Sequence, residues 1–499
     1  KGLPATASVV VLEAGTADPH TLEQDIDPRN CLAAGLNTSN IWHATPEQQW
    51  EGKPQPGLLN RSLVLQGPRL LGGGSGVNCA MWVRPTRGDI EGWNVPGWTP
   101  AEVHPVLEDV EAALGGLYVD REVSSVRDFA DQARTVPLRD NCNADWLTAG
   151  QVNQYCRAVL SAEPVGTGRV RHTAYNHLLK PLLSSHDNLQ LFPGCAVTKL
   201  IVDATAKRVT HVQYSKDGNI FTIAVNKEVV MAGGPFQNPK ILKLSGVGPA
   251  AELQHWGIEV MVDSPNVGEH LQDHPMIVIF FNRTGALNEN LPPNSFPAPR
   301  WEFVGGPSST VPEFQIVLAE YMPAGVPPIP GLDMTNNAGL FIELLNPKGT
   351  GTVRLASTDP TAAPAVDHGF SALQEDVDAH VRSIILAREL YKTESNENLV
   401  EVLPGAAFGD NLEQYVRLTQ SHGWHPCSSV RMGADPATSA VDPELRLRGL
   451  ANVRVADSSA FPDVPRYVRM NEMEEDNEFD KRKARGTAVR GAGTQGPTR

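Results

Sequence analysis

The chain has 499 residues, of which 41% are hydrophobic and 20% charged, and its formal net charge is −15 at pH 7. The length accommodates two or three domains of a water-soluble globular protein. No window supplies the roughly 18 apolar residues that a membrane helix needs, and an acidic chain repels phosphate backbones, so neither a membrane nor a nucleic acid is expected as a partner.

Ser8 to Leu12 reads Ser-Val-Val-Val-Leu and is followed by Glu13-Ala14-Gly15. Such a β-branched run suits a buried parallel strand. An acid at its end before a glycine turn fits the second strand of a nucleotide-binding βαβ unit, where the carboxylate takes a ribose hydroxyl. An ordinary edge strand ending in a solvated glutamate fits equally well. In the βαβ reading the glycine fingerprint lies about 20 residues upstream, before residue 1, so the first strand and its turn are expected to be missing. Gly67 to Met81 follows as a glycine-rich stretch, either a flexible turn or a backbone cradle for a pyrophosphate. An amphipathic stretch spans Pro100 to Leu114, inside a helical and loop-like segment 101–165.

Further along, Asn188 to Asp203 is strand-like. Val209–Tyr214 and Ile220–Val225 form a hairpin pattern around Asp217-Gly218. Glu228 to Gly234 reads as a buried strand ending in glycines, and Pro239 to Leu244 as a helix. Met276 to Phe281 is strand-sized. The proline-rich stretch Pro292 to Pro330 reads as a long irregular excursion. Val353 to Leu355 is a short strand, and Leu373 to Thr393 a helix with apolar spacing. Strands alternating with helices and interrupted by long inserts indicate an α/β nucleotide-binding domain interleaved with a second domain.

Three segments carry chemistry: Gly67–Met81; Gly234–Gly248 with its strand–glycine–helix pattern; and His422 to Gly433 with His425-Pro426, trailed by Asn452 to Pro462. In this order they resemble the glucose–methanol–choline (GMC) oxidoreductases, over roughly Val9 to Pro465. Asn266 to His274 resembles a further family run, with His270 where Asn is usual, and Asn238 stands where Ser or Thr is usual.

The resemblance implies an α/β fold: a Rossmann-like FAD-binding domain, incomplete at its start, interleaved with a substrate domain of antiparallel sheet plus helices. The expected division is 1–100 and 166–275 for the FAD-binding domain, 101–165 for a substrate-side insert, 276–421 for the substrate-binding domain, 422–465 for the FAD-binding and catalytic segment, and 466–499 for a disordered tail. It implies that Glu13 binds the adenosine ribose and that Leu71, Gly72, Gly73, Ser75 and Asn78 cover the pyrophosphate and the flavin. Val197 is expected to meet the adenine through its backbone, with Asp457, Ser459 and Ala460 beside the pyrophosphate and flavin ring. His425 is expected to face flavin N5 as the base that takes an alcohol's proton, a task that an imidazole with an ordinary pKa of about 6.5 suits. Asn78 offers no histidine for a covalent link at its motif position, so FAD is expected to bind non-covalently. The partners are a small-molecule alcohol and oxygen or a quinone as electron acceptor.

Other residues carry weaker signals. His270 and His274 stand four apart with Asp273 between them, a metal pattern on a helix, but Pro275 and the family match indicate a turn, and no metal is expected. His422 is read as structural. The six cysteines form no Cys-x-x-Cys pair, so there is no zinc or redox signature. Sequons at Asn37, Asn60 and Asn282 matter only in a secretory protein. No signal peptide is visible, and the localisation stays unknown, secretion included. The family places a second catalytic His or Asn after the strand bearing Asp457. Here 466–499 is of mixed charge with no histidine, and such a segment cannot bury enough surface to offset its ordering entropy. With both ends departing, the expectation is weak FAD binding or none, with an inactive truncated homologue or a gene-model fragment without bound FAD as the alternative.

Overall fold

The computed structural model describes residues 7–16, 41–42, 50–65, 67–78, 82, 84–85, 87–115, 118–119, 138–139, 154–156, 159–160, 162–165, 168–284, 301–304, 313–319, 330–333, 337–391 and 399–465. The expected tail at 466–499 lies outside them.

Among the described residues the chain builds a framework around two parallel strand pairs and one large, mainly antiparallel sheet. In the first, β1 (Val9–Glu13) pairs in parallel with β2 (Leu189–Pro193), Glu13 opposite Pro193. Gly194, at φ +72°, ends β2, so the single strand expected over Asn188–Asp203 is two. The second of these, β3 (Ala196–Asp203), forms an antiparallel meander with β4 (Arg208–Lys216) and β5 (Asn219–Ala224). Asp217 and Gly218 both take positive φ in the β4–β5 turn, as a two-residue hairpin requires. A second parallel pair joins β6 (Val229–Met231) to the strand Val453–Val455. β6 is less buried than expected, with Val230 57% exposed.

Helix α1 (Gly234–Leu244) follows β6 and begins five residues before the predicted start. Pro239 lies inside it without an N–H to give. The orphaned carbonyl one turn back, that of Pro235, accepts the Ser429 hydroxyl at 2.6 Å instead, which removes the usual objection to an interior proline. Residues from this framework, Leu200, Val209, Leu242, Val430, Val441, Val455 and Ala460 among them, form one apolar core.

The mainly antiparallel sheet runs, edge to edge, Leu399–Leu403, β7 (Pro275–Arg283), β8 (Asn337–Leu344), Phe314–Ala319, Trp301–Val304, Gln154–Cys156 and Leu138–Arg139, the last pair parallel; Ser421–His422 also pairs with β7. Two expectations are corrected here. The excursion 292–330 contributes two strands, and the 101–165 insert contributes strands to the same sheet. The prolines flank the strand residues of 292–330 and leave them free to pair. Helix α2 (Gln374–Tyr391) packs on this sheet through Val377, Ile384 and Ala387. A third cluster, including Trp50, Phe236, Leu271 and Val366, gathers around the start of α1.

Candidate active site

His425 sits where the two bodies meet, and its neighbours come from four separate segments. The residues after Val267 cross between domains in a turn, with His270 at φ +57°, and so deliver Asp273 and His274 to the start of β7. Asp273 Oδ1 accepts the backbone N–H of His425 at 2.8 Å, and the His274 carbonyl accepts the N–H of Gly423 at 2.7 Å. His422 reaches the Val64 carbonyl through Nε2 at 3.0 Å, which ties the 421–425 segment to the strand leading into the glycine-rich stretch. Ser458 Oγ donates to the Pro426 carbonyl at 3.1 Å. The N–H groups of Ser428, Val430 and Met432 go to the carbonyls of Ser458, Ser459 and Ala460.

The two imidazoles face one another: Nδ1 of His274 lies 3.1 Å from Nδ1 of His425. Glu343 Oε1, from β8, lies 4.0 Å from the same His425 nitrogen, while its Oε2 accepts the Gln315 amide at 3.1 Å. Gly423 makes this approach sterically feasible, because a Cβ there would stand 2.9 Å from both Glu343 Oε1 and the His274 carbonyl oxygen. His274 and Glu343 are buried. Protein surrounds His425, yet 43% of its side chain is accessible.

Burial governs the electrostatics. It pushes the His425 imidazole down to about 4, with His422 adding to the effect, and it lowers His274 well below the ordinary range, helped by His425. Desolvation disfavours the charged form of each group, and it lifts Asp273 and Glu343 up to about 8, Asp273 adding to the effect at Glu343. The histidines are therefore neutral near pH 7.

The expected cofactor residues fall into three groups. Glu13 ends β1, its Oε1 accepting the Gly15 N–H at 2.6 Å; burial raises its pKa against the opposing effects of Gly15 and Arg69. Val197 lies on β3 beside it, and the Glu13 carbonyl accepts the Cys195 N–H at 2.8 Å. Gly15 packs directly on the glycine-rich stretch, since a Cβ there would fall 2.3 Å from Leu70 Cα. Within that stretch Leu71 is buried, Ser75 Oγ bridges the Gly72 carbonyl and the Ala174 N–H, and Asn78 accepts from Arg171 through its side chain and its carbonyl. Asp457 is engaged by the protein itself: Oδ2 accepts from Gly234 N–H at 2.7 Å and the Asn238 amide at 2.8 Å, and Oδ1 accepts from Ser459 N–H at 2.9 Å. Ser459 and Ala460 are buried behind it.

A flavin nucleotide suits these residues. Nothing stands within 4 Å of a Cβ placed on Gly73 or Gly74, so their backbone can approach a phosphate closely. Asp457 and Asn238 hold the first turn of α1, whose N-terminus favours negative charge.

Glu343 and Gln315 were not singled out from the sequence. The signal for Glu343 was there: it is an acid inside a strand whose neighbours Phe341, Ile342, Leu344 and Leu345 are apolar.

A parallel strand ending in an acid, a glycine-rich cradle, and a histidine at the seam with an antiparallel sheet are the parts of a flavin-dependent oxidoreductase. Two family models described as GMC oxidoreductase match residues 11–276 and 347–470, and the chain belongs to that family of FAD-dependent enzymes. It is 28% identical over 500 residues to an oxygen-dependent choline dehydrogenase of Brucella melitensis, covering 92% of this chain and 87% of the relative. The corresponding protein of Sinorhizobium fredii is 27% identical over 93% of this chain and 88% of its own length. Among solved structures, pyridoxine 4-oxidase from Mesorbium loti shares the fold with a TM-score of 0.79 at 20% identity, covering 92% of this chain and 91% of that one. A fungal aryl-alcohol oxidase gives 0.73 at 19% identity, covering 92% of each chain. No helix among the described residues is long and apolar enough to cross a membrane.

Proposed function

We propose that this chain oxidises a small alcohol, with His425 as the general base and non-covalently bound FAD as the acceptor of the hydride. The observation that carries this reading is the orientation of His425. Its Nδ1 is taken up by His274 at 3.1 Å, which leaves Nε2 as the nitrogen available to a substrate hydroxyl. A neutral ring can have a lone pair at Nε2 only if its proton is on Nδ1, so His274 acts as the acceptor and selects the tautomer that catalysis needs.

Bound FAD supplies a hydride acceptor at N5, chemistry that belongs to the cofactor. Glu13, the 72–75 backbone, Val197 and the 457–460 turn would hold it, and Asn78 offers no imidazole for a covalent bond. His425 receives the hydroxyl proton at Nε2 as the hydride leaves carbon, assistance worth about 10² to 10⁴ in rate. The imidazolium that develops keeps its Nδ1–H on His274 Nδ1 at 3.1 Å, with the Glu343 carboxyl 4.0 Å from the same nitrogen. Support for an alcohol comes from the relatives named for choline and the fold neighbours named for pyridoxine and aryl alcohols. The electron acceptor is expected to be oxygen or a quinone.

The test is anaerobic. The purified protein, reconstituted with FAD, is mixed with choline, pyridoxine or benzyl alcohol, and flavin absorbance is followed. One of these should bleach it. His425→Ala should retain the flavin and lose about 10² to 10⁴ in reduction rate. A protein that takes up no flavin, or a variant that is reduced as fast as wild type, overturns the reading.

A further inference from the structure

His274, Glu343 and His425 each offer one donor atom, and the three atoms lie within 4.8 Å of one another. They come from positions 274, 343 and 425, and no local motif joins them. We propose that this cluster is an inhibitory site for a divalent transition-metal ion of the zinc class, one that disables the base by fixing the wrong tautomer of His425. The inhibitory part rests on the proposed role of His425; the binding part does not.

The geometry fits the ion. Zinc binds imidazole nitrogen at about 2.0–2.1 Å, so two nitrogens in a tetrahedral shell stand about 3.3 Å apart. The two Nδ1 atoms are 3.1 Å apart and face each other. Glu343 Oε1 lies 4.0 Å from His425 Nδ1, and turning the carboxylate by under about 1 Å completes a His₂Glu set of the kind that zinc uses in open sites. Gln315 holds the other carboxylate oxygen and Asp273 holds the His425 backbone, which orients the ligands from behind. The accessible face of His425 leaves a fourth position for water and a way in for the ion.

The consequence follows from proton counting. A neutral imidazole carries one proton. In the active tautomer it sits on Nδ1 of His425, shared with His274. A metal bound at Nδ1 displaces it, and through solvent it moves to Nε2, so His425 itself stays neutral, while the Glu343 carboxyl gives its proton to solvent as it takes the ion. Nε2 then carries a hydrogen and has no lone pair for the alcohol. The substrate still binds, so the ion lowers kcat and leaves KM largely unchanged.

Cobalt(II) and zinc are the probes. Cobalt(II) titrated into the purified full-length chain should saturate at one equivalent, with the intense visible absorption of a four-coordinate ion beyond the flavin bands. Zinc should displace it. Glu343→Gln and His274→Asn should each weaken binding at least tenfold, with circular dichroism confirming that they fold. If the variants do not fold, the wild-type spectrum decides: a weak six-coordinate spectrum or non-saturating binding overturns the site, as does wild-type affinity in either folded variant. In turnover, saturating zinc should lower kcat more than tenfold and a chelator should restore it. Binding without loss of turnover overturns the inhibitory role. Stoichiometric cobalt binding by a chain that never reduces its flavin leaves the site standing and removes the proposed function.

Discussion

Asp273 Oδ1 accepts the backbone N–H of His425 at 2.8 Å, from a buried carboxyl whose other oxygen lies 3.7 Å from His368 Nε2. The bond fixes the height of the 423–427 turn and therefore the position of the imidazole. In Asp273→Ala the N–H is left buried without a partner, at a cost of about 1–3 kcal/mol. A base displaced by an ångström costs about 10²-fold in rate. Asp273→Asn keeps an oxygen in the same place and should retain most of the activity. Stopped-flow flavin reduction and urea unfolding measure both effects; a wild-type reduction rate in the alanine variant would show that the bond does not align His425.

Gly423 makes a second prediction about the same turn. A methyl group there would meet Glu343 Oε1 and the His274 carbonyl, each at 2.9 Å. The carbonyl belongs to the backbone and cannot step aside. Gly423→Ala should lose about 1–3 kcal/mol of stability, as overpacked sites do, and the forced retreat of Glu343 and His425 should lower kcat more than it raises KM. Steady-state kinetics beside a thermal melt would expose a variant that is merely unstable, because its kcat per folded molecule would be unchanged.

The elements legible in the sequence were those with a strong period or a demanding turn. β1, the β4–β5 hairpin and α2 emerge from β-branched runs, Asp217-Gly218 and helical spacing. The strands Trp301–Val304 and Phe314–Ala319 did not, because they sit in a stretch dense with proline, and pairing with β8 and Gln154–Cys156 decides their state. Pro239 hid the start of α1, since the Ser429 hydroxyl that replaces the missing donor is 194 residues from Pro235. At the site, His425 stood out through its motif. Glu343 did not, because its meaning depends on strand register: the pairing with Met276 on β7 sets it beside the residues that precede that strand, and no local pattern records this.

Asn238 stands where the family usually has Ser or Thr, and its longer side chain makes three contacts. Oδ1 accepts the Gly233 N–H at 3.0 Å, and Nδ2 donates to Asp457 Oδ2 at 2.8 Å and to Ser459 Oγ at 3.0 Å. Asn238→Ala takes a partner from each of the three, of which only Ser459 is buried, and should cost about 1–3 kcal/mol, at up to roughly 1 kcal/mol for each. Asn238→Thr should recover part of this, because a hydroxyl can meet one partner at a time. Because Asp457 also holds the Gly234 N–H, the alanine variant should release FAD more readily. Equilibrium dialysis against FAD measures this; unchanged retention would separate the Asn238 network from cofactor binding.

His380 gives a pH prediction away from the site. It is fully buried on α2, neither ring nitrogen has a hydrogen-bond partner, and burial pushes its pKa down to about 3, which the nearby Pro275 carbonyl only partly offsets. The folded chain therefore keeps the ring neutral at pH values where the unfolded chain, with an ordinary pKa of about 6.5, takes up a proton. The unfolded state binds more protons between these values, so stability is lost as pH falls from about 6.5 towards about 3 and is unaffected by this group above that window. One such histidine contributes a slope of up to about 1.4 kcal/mol per pH unit. His380→Leu replaces the ring with an apolar side chain that needs no partners and cannot titrate. It should unfold at a higher urea concentration than wild type at pH 5, and the two should converge towards pH 7.5. Parallel pH profiles for the two proteins would mean that another buried group, such as His368, carries the acid sensitivity.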